Sequence, residues 1–176
     1  MPGHRTTVYR ALRCISIYRL WAQPGNILMA AVLANGTTSI KNAAIEPEIT
    51  ALIDFLRSMG ADIEGKGTSH LIIQGKKELK PANMQVIPDR IEAGTFLVTA
   101  AATGGKITLV NAEPDHLTEV LIKLEETGAE LSTEGNRIHI SMQKRPPIID
   151  LLKIVKKDIL IFFIYMVMDQ LILDEL

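Results

Sequence analysis

The sequence has few residues of the kinds that point directly to a chemistry or a compartment. It contains a single cysteine, Cys14, so no disulfide can form within the chain, and one thiol fits a reducing cytoplasm. Aromatic residues make up only 5% of the chain, and the net charge of −1 gives no electrostatic case for binding nucleic acid or an anionic membrane. The 176 residues suffice for one domain or for two small subdomains sharing a core.

The two ends differ in composition from the middle. Residues 1–24 contain several arginines and no acidic residue, a composition that imitates an organellar transit peptide. Near the other end, the apolar run Ile159–Met168 lies between Asp158 and Asp169. This run is shorter than the roughly 20 residues that cross a bilayer as a helix. We therefore expect a buried or aggregation-prone segment there, and no membrane span.

An internal repeat occupies the middle of the chain, with an offset of about 67–69 residues. The matching segments are Ala34–Ala43 with Thr103–Ala112, Glu46–Glu48 with Glu113–Asp115, and Met59–Ile63 with Thr127–Leu131. A period of this length indicates two duplicated supersecondary units, not a solenoid of short repeats. We expect the two units at about residues 25–80 and 81–145.

Both units show the same helix signals. Apolar residues at helical spacing predict one helix in each unit, at Ile49, Leu52, Ile53 and Leu56, and again at Leu117, Val120, Leu121 and Leu124. Pro47 and Pro114 open these helices, and Gly60 and Gly128 follow the last turn, where a left-handed residue closes a helix. Earlier helices are predicted over Asn26–Ala34 and Ile91–Thr103.

Short strands are predicted around the helices, and turns that contain glycine join two of them into hairpins. The predicted strands are Thr38–Lys41, His70–Gln74, Lys106–Val110 and Arg137–Ser141, with a further strand over Met84–Ile87 leading into the second unit. Each unit is therefore helix–strand–helix–strand–strand, and the predicted fold class is α/β.

Three long strings resemble one family. Residues 26–38, 42–49 and 86–97, the last containing Pro88-Asp89-Arg90-Ile91-Glu92-Ala93-Gly94, are similar to the UDP-N-acetylglucosamine 1-carboxyvinyltransferases of the enolpyruvyl transferase family. Lys144-Arg145-Pro146 resembles the crossover into that family's last third. The resemblance covers about residues 25–147. It implies repeated β-α-β-α-β-β units of an inside-out α/β barrel, incomplete here, with helices inside and sheets outside.

The resemblance also implies an activity that uses no cofactor. Members transfer the enolpyruvyl group of phosphoenolpyruvate to the 3′-hydroxyl of UDP-N-acetylglucosamine, in cytoplasmic peptidoglycan synthesis. Such a site needs cations for the phosphate and carboxylate and an acid–base carboxylate for the hydroxyl. The family's cysteine loop, Lys-Asn pair and arginines precede the part matched here, and its Pro-Thr-Asp segment follows it. We therefore expect a central piece that retains no catalytic residue and is inactive alone, with Cys14 playing no catalytic part.

Four residues are candidates for substrate binding by the resemblance. Arg90 would face the phosphoenolpyruvate side, and Asp89 would pair with a cation across the cleft. Asp89 and Glu92 also form the Asp-x-x-Glu pattern of a capping box, so capping alone and capping with a site role both stay open. Glu46 and Glu48 lie at a helix start, where carboxylates favour the helix dipole in any case. The four histidines lack metal-ligand spacing, so we expect no metal site.

The composition of the leader is explained by a shift of the reading frame in our hypothesis. Residues 1–24 lack the Ser-Val-Gly-Ala-Thr motif that the family places just before Asn26. Codons compatible with Arg19–Pro24 encode this motif when they are read in a shifted register. We hypothesise that residues 1–24 are an out-of-frame reading restored at Gly25, and residues 148–176 stay an unassigned tail.

Two other interpretations stay open. One is the 3-phosphoshikimate enolpyruvyl transferase of the same fold, against which the string from Pro88 to Gly94 argues. The other is a non-catalytic folding or interaction module. An incomplete domain would expose sheet edges and apolar helix faces, so we also expect self-association.

Overall fold

The computed structural model describes residues 13–15 and 22–146, with side chains from residue 25 onward. The boundary between two compact units falls between Ile87 and Pro88. Most of the predicted out-of-frame leader, the apolar run Ile159–Met168 and the unassigned tail lie outside the described residues. Within the described part, no helix is both long enough and apolar enough to cross a membrane.

The first unit is a four-stranded sheet with two helices. Its elements are β1 (Arg13–Ile15), α1 (Ala22–Ala31), β2 (Thr37–Lys41), α2 (Pro47–Ser58), β3 (Asp62–Glu64) and β4 (His70–Gln74). The strand order is β1-β2-β4-β3, in which β1 runs parallel to β2 and the other pairs are antiparallel. Alternate residues of the central strands are buried against the helices, so that Ile40, Leu71 and Ile73 are at most 1% exposed.

The second unit repeats this order without the leading strand. Its elements are α3 (Arg90–Thr103), β5 (Lys106–Leu109), a 3-10 turn (Pro114–Leu117) that continues into α4 (Thr118–Glu126), β6 (Glu130–Glu134) and β7 (Arg137–Ser141). The three strands are antiparallel in the order β5-β7-β6. Leu97, Leu124, Ile138 and Ile140 form the centre of its core, each 0% exposed.

The predicted α/β organisation is confirmed. Both units have the helix–strand–helix–strand–strand order, and the predicted strands His70–Gln74 and Arg137–Ser141 match β4 and β7. The glycines after α2 and α4 are left-handed, Gly60 with φ 97° and Gly128 with φ 94°. Glycine has no Cβ, so it adopts this backbone conformation without the steric cost that other residues meet.

The predicted strand Met84–Ile87 is wrong. These residues have no regular secondary structure, and Val86 is 81% exposed. Alternating polar and apolar residues suit a strand, but a strand also needs a partner for its backbone N–H and C=O groups. The described part of the second sheet contains three strands and ends at β5.

A close backbone approach fixes the end of β4 against the end of α1. The Gly75 N–H donates to the Gly36 carbonyl at 3.0 Å, and the Lys76 N–H donates to the Val32 carbonyl at 2.8 Å. A Cβ built on Gly75 would lie 1.5 Å from the Ala34 carbonyl oxygen. Only glycine fits here without moving the backbone of the helix terminus.

We predict that Gly75→Ala lowers the free energy of unfolding by at least about 2 kcal/mol, because the added methyl displaces backbone that cannot yield cheaply. Gly105→Ala is the matched control: its Cβ would meet Thr103 Oγ1 at 3.4 Å, an ordinary contact. We expect the control to change stability by less than about 1 kcal/mol. Urea unfolding followed by circular dichroism measures both, and equal stabilities would contradict the close approach.

Candidate functional site

A cavity of about 320 Å³ opens in the second unit beside the start of α3. One wall comes from α3 and the residues before it, and the other from the end of β5 and the turn that follows. The lining residues are Pro88, Asp89, Glu92, Ala93 and Phe96 on the first wall, and Leu109, Val110, Asn111 and Ala112 on the second. Residues some twenty positions apart in sequence therefore share one concave surface.

Asp89 holds the start of α3. Its Oδ1 accepts hydrogen bonds from the backbone N–H of Ile91 at 2.8 Å and of Glu92 at 3.1 Å. These N–H groups have no carbonyl partner within the helix. The negative carboxylate also interacts favourably with the positive end of the helix dipole. The capping role predicted for Asp89 is confirmed. The return bond predicted from Glu92 is absent among the hydrogen bonds of the described residues, and Glu92 instead lies exposed on the cavity wall.

The second wall is shaped by a left-handed asparagine. Asn111 has φ 57°, a region that asparagine tolerates better than most residues with a Cβ. The next residue, Ala112, is 3% exposed, and its N–H donates to the Asn136 carbonyl at 2.9 Å. This turn redirects the chain away from β5 and leaves Asn111 on the cavity surface.

The chemical character of the cavity is acidic on one side and apolar on the other. Asp89 and Glu92 supply carboxylates and Asn111 an amide, and the described residues of the lining include no lysine or arginine. Phe96 and Val110 add apolar surface that is 53% and 64% exposed. Carboxylate oxygens accept hydrogen bonds from hydroxyl or amine groups, and they repel phosphate and carboxylate. The cavity suits a hydroxyl-bearing or cationic group, not an anion.

The other three predicted site residues lie outside this lining. Arg90 is the first residue of α3 and is half-buried. Glu46 and Glu48 lie in the first unit, at the start of α2 on either side of Pro47. Glu46 holds the helix start through its backbone, since its carbonyl accepts from Ile49 N–H at 3.0 Å. Its side chain makes no capping bond, and its buried Oε2 has no hydrogen-bond partner among the described residues.

Two of the three histidines among the described residues lie within hydrogen-bond distance of a hydroxyl group. His70 Nε2 lies 2.9 Å from Ser39 Oγ, and His139 Nδ1 lies 2.8 Å from Thr108 Oγ1. His116 lies in the 3-10 turn, and its buried Nδ1 has no hydrogen-bond partner among the described residues. Across the described ranges, no three His, Cys, Asp or Glu residues are placed to hold a metal ion.

Sequence reasoning missed Phe96, Val110 and Asn111. Phe96 and Val110 read as ordinary apolar positions of a helix and a strand. Asn111 had a usable signal, since an Asn-Ala pair follows the first strand in both repeats, at Asn42-Ala43 and Asn111-Ala112. Asparagine tolerates the left-handed conformation, so an asparagine repeated at the end of a strand indicates a left-handed turn.

Comparison with known proteins places the chain in a family. Residues 23–172 match the family model of EPSP synthase (3-phosphoshikimate 1-carboxyvinyltransferase). The chain is 56% identical over 115 residues to a UDP-N-acetylglucosamine 1-carboxyvinyltransferase of Desulfosudis oleivorans, a match that covers 65% of this chain and 28% of that protein. It is 50% identical over 127 residues to UDP-N-acetylglucosamine 1-carboxyvinyltransferase 2 of Caldanaerobacter subterraneus subsp. tengcongensis, covering 72% and 30%. The chain thus spans less than a third of the length of these relatives.

Solved structures agree on the fold. The enolpyruvyl transferase NikO from Streptomyces tendae superimposes with a TM-score of 0.60 at 21% identity, over 69% of this chain and 30% of that one. An EPSP synthase from Acinetobacter baumannii gives a TM-score of 0.55 at 26% identity, over 76% and 32%. The chain has the α/β fold of these enzymes, and it belongs to the EPSP synthase family of enolpyruvyl transferases.

Proposed function

We propose that this chain is the central part of an enolpyruvyl transferase that acts on UDP-N-acetylglucosamine in peptidoglycan synthesis. In this reaction the 3′-hydroxyl oxygen forms a bond to C2 of phosphoenolpyruvate. The bond from C2 to the phosphate oxygen breaks, and inorganic phosphate leaves carrying the hydroxyl proton. The observation that carries the proposal is the 56% identity over 115 residues to a UDP-N-acetylglucosamine 1-carboxyvinyltransferase. Identity to an EPSP synthase is 26%, which favours the nucleotide-sugar branch over 3-phosphoshikimate.

The cavity chemistry supports a limited role for this part of the enzyme. Both substrates carry phosphate groups, and a site for them needs cations. The cavity beside α3 supplies carboxylates and an amide instead. Arg90 lies outside this lining, at the start of α3. The other cations would come from parts of the relatives that this chain does not match, so we propose that the chain alone has no turnover.

Each of the four candidate residues has a proposed role within this part of the enzyme. Asp89 and Arg90 stand at the start of α3, and Glu46 and Glu48 at the start of α2. We assign Asp89 a position facing the substrate hydroxyl or a cation, in addition to its capping bonds. Arg90 would serve the phosphoenolpyruvate side. The buried, unpartnered Oε2 supports a ligand-facing role for Glu46, and Glu48 would act beside it.

Two further properties belong to the same proposal. An enzyme that uses nucleotide sugars and phosphoenolpyruvate works in the cytoplasm, which fits the single cysteine. The strands β5 and β6 form the edges of the described second sheet, and open edges favour self-association.

The proposal predicts that residues 25–146 can replace the matching segment of the Desulfosudis oleivorans relative. We expect the chimera to release phosphate from phosphoenolpyruvate with UDP-N-acetylglucosamine, and to be inactive with shikimate 3-phosphate. The reason is that more than half of the exchanged residues are identical, so packing and the active-site surface are kept. A coupled phosphate-release assay measures both reactions.

Two controls accompany the chimera. The isolated chain should release no phosphate above the blank, and turnover by it would contradict our claim that it is inactive alone. The same segment placed in the Acinetobacter baumannii EPSP synthase should not support activity with shikimate 3-phosphate. A folded chimera of the first kind that is inactive with UDP-N-acetylglucosamine would overturn the substrate assignment.

A second prediction separates the two roles of Asp89. Asn is also a good N-cap, so Asp89→Asn in the chimera should keep stability within about 0.5 kcal/mol, whereas Asp89→Ala should lose about 1 kcal/mol. A substrate-facing carboxylate predicts in addition that Asp89→Asn lowers kcat at least about tenfold. Unchanged kcat with unchanged stability would show that Asp89 acts as a cap only.

A further inference from the structure

The first sheet contains a strand that has no counterpart in the described part of the second sheet. β1 lies at the edge of the first sheet and runs parallel to β2, with Arg13 opposite Ser39 and Cys14 opposite Ile40. β5 is the counterpart of β2, and in the described second sheet it is an edge strand. At the repeat offset of 69 residues, the counterparts of β1 are residues 82–84, which have no regular secondary structure.

The backbone groups that β5 presents at this edge follow from its pairing with β7. The Met142 N–H donates to the Gly105 carbonyl at 2.9 Å. Successive residues of a strand direct their backbone groups to opposite sides, so alternate residues counted from Gly105 bond to β7. Lys106 and Thr108 therefore direct their N–H and C=O groups towards the open edge. In the first sheet the counterpart of Thr108 is Ser39, which lies beside β1.

Side-chain burial also differs between the two sheets at matching positions. Thr38 and Ile40 of β2, the strand beside β1, are 3% and 1% exposed. Their counterparts in β5 are Ile107 and Leu109, which are only half-buried although both are apolar. A neighbouring strand places its side chains against those of the same face, so a strand added at this edge would bury more of both residues.

We propose that the open edge of β5 binds an extended segment as a parallel strand, in the position that β1 takes beside β2. The segment belongs to a part of the full-length enzyme outside this chain, since the chain spans less than a third of the length of its relatives. Its side chains alternate, apolar on the side of Ile107 and Leu109 and polar on the side of Thr108. The inference rests on the proposed function only in that the chain is part of a larger enzyme.

The opposite edge of the same sheet provides an internal control. β6 is the counterpart of β3, and β3 is itself an edge strand of the described first sheet. The repeat therefore predicts no added strand beside β6. Thr133 of β6 lies opposite Ile138, which in turn lies opposite Leu109 of β5. Because Ile138 directs its backbone groups to β5, the N–H of Thr133 points out of the sheet, as that of Thr108 does at the other edge.

Amide hydrogen exchange in the whole chain tests the proposal. The chain is kept at about 1 µM to limit self-association, and peptides of about twelve residues are added at about 100 µM. They are tiled through the parts of the Desulfosudis oleivorans relative outside the 115 matched residues. We expect one peptide to slow exchange of the Thr108 N–H at least about fivefold, because exchange then proceeds from the unbound fraction. The Thr133 N–H should be unchanged.

The chimera described above provides a second measurement that does not depend on its turnover. In the folded chimera the Thr108 N–H should exchange at least about 100-fold more slowly than in the isolated chain. The proposal is overturned if no peptide slows Thr108 and the chimera does not protect it, or if Thr133 is slowed equally. Protection of Thr108 by a higher concentration of the chain alone, without any peptide effect, would assign the edge to a second copy and overturn the proposal.

Proline at the two outward positions distinguishes the edges. Thr108→Pro removes the N–H that an added strand needs, and edge strands tolerate proline where the N–H points away from the sheet. We expect this variant to keep the circular dichroism of the wild type and to bind the labelled peptide at least about tenfold more weakly, measured by fluorescence anisotropy. Thr133→Pro is the matched control and should bind as the wild type does. Equal binding by both variants would contradict pairing at β5.

Discussion

The structure depends on one turn that occurs once in each unit. At Asn42 and Asn111 the chain leaves the first strand in a left-handed conformation, with φ 57° at both positions. The alanine that follows is buried, and its N–H bonds to the hairpin before the last strand, at Ser69 O and Asn136 O, each at 2.9 Å. The turn directs the chain back over the sheet, so that the next helix covers the apolar side of the strands. Both units therefore contain the same turn, held by the same kind of backbone hydrogen bond.

The same turn creates the candidate site in the second unit. Asn111 and Ala112 form one wall of the cavity, and the start of α3 forms the other. Asp89 is placed there because it caps the helix, so its structural role brings a carboxylate to the cavity. A carboxylate that caps a helix stabilises the fold through one oxygen. Its other oxygen can still accept a hydrogen bond from a ligand. The capping residue therefore also lies on the cavity surface.

The fold was largely predictable from the sequence, whereas the site was not. Apolar spacing located α2 and α4, and glycines located their ends, since both signals are local. Met84–Ile87 has the pattern of a strand but forms none, because strand formation depends on a partner that the local sequence does not specify. The cavity joins Phe96 to Val110 and Asn111, and only the packing of α3 beside the end of β5 brings them together. The family resemblance rested on long strings of residues and needed no such geometry.

The turn is tested most directly by amide hydrogen exchange in the native chain. If it anchors each unit, the N–H groups of Ala43 and Ala112 should exchange at least about 100-fold more slowly than those of residues 82–87, and on the timescale of β4 and β7. Exchange of Ala43 and Ala112 as fast as that of the irregular segment 82–87 would contradict the account. The bonds to Ser69 and Asn136 would then not hold the turn in place within either unit.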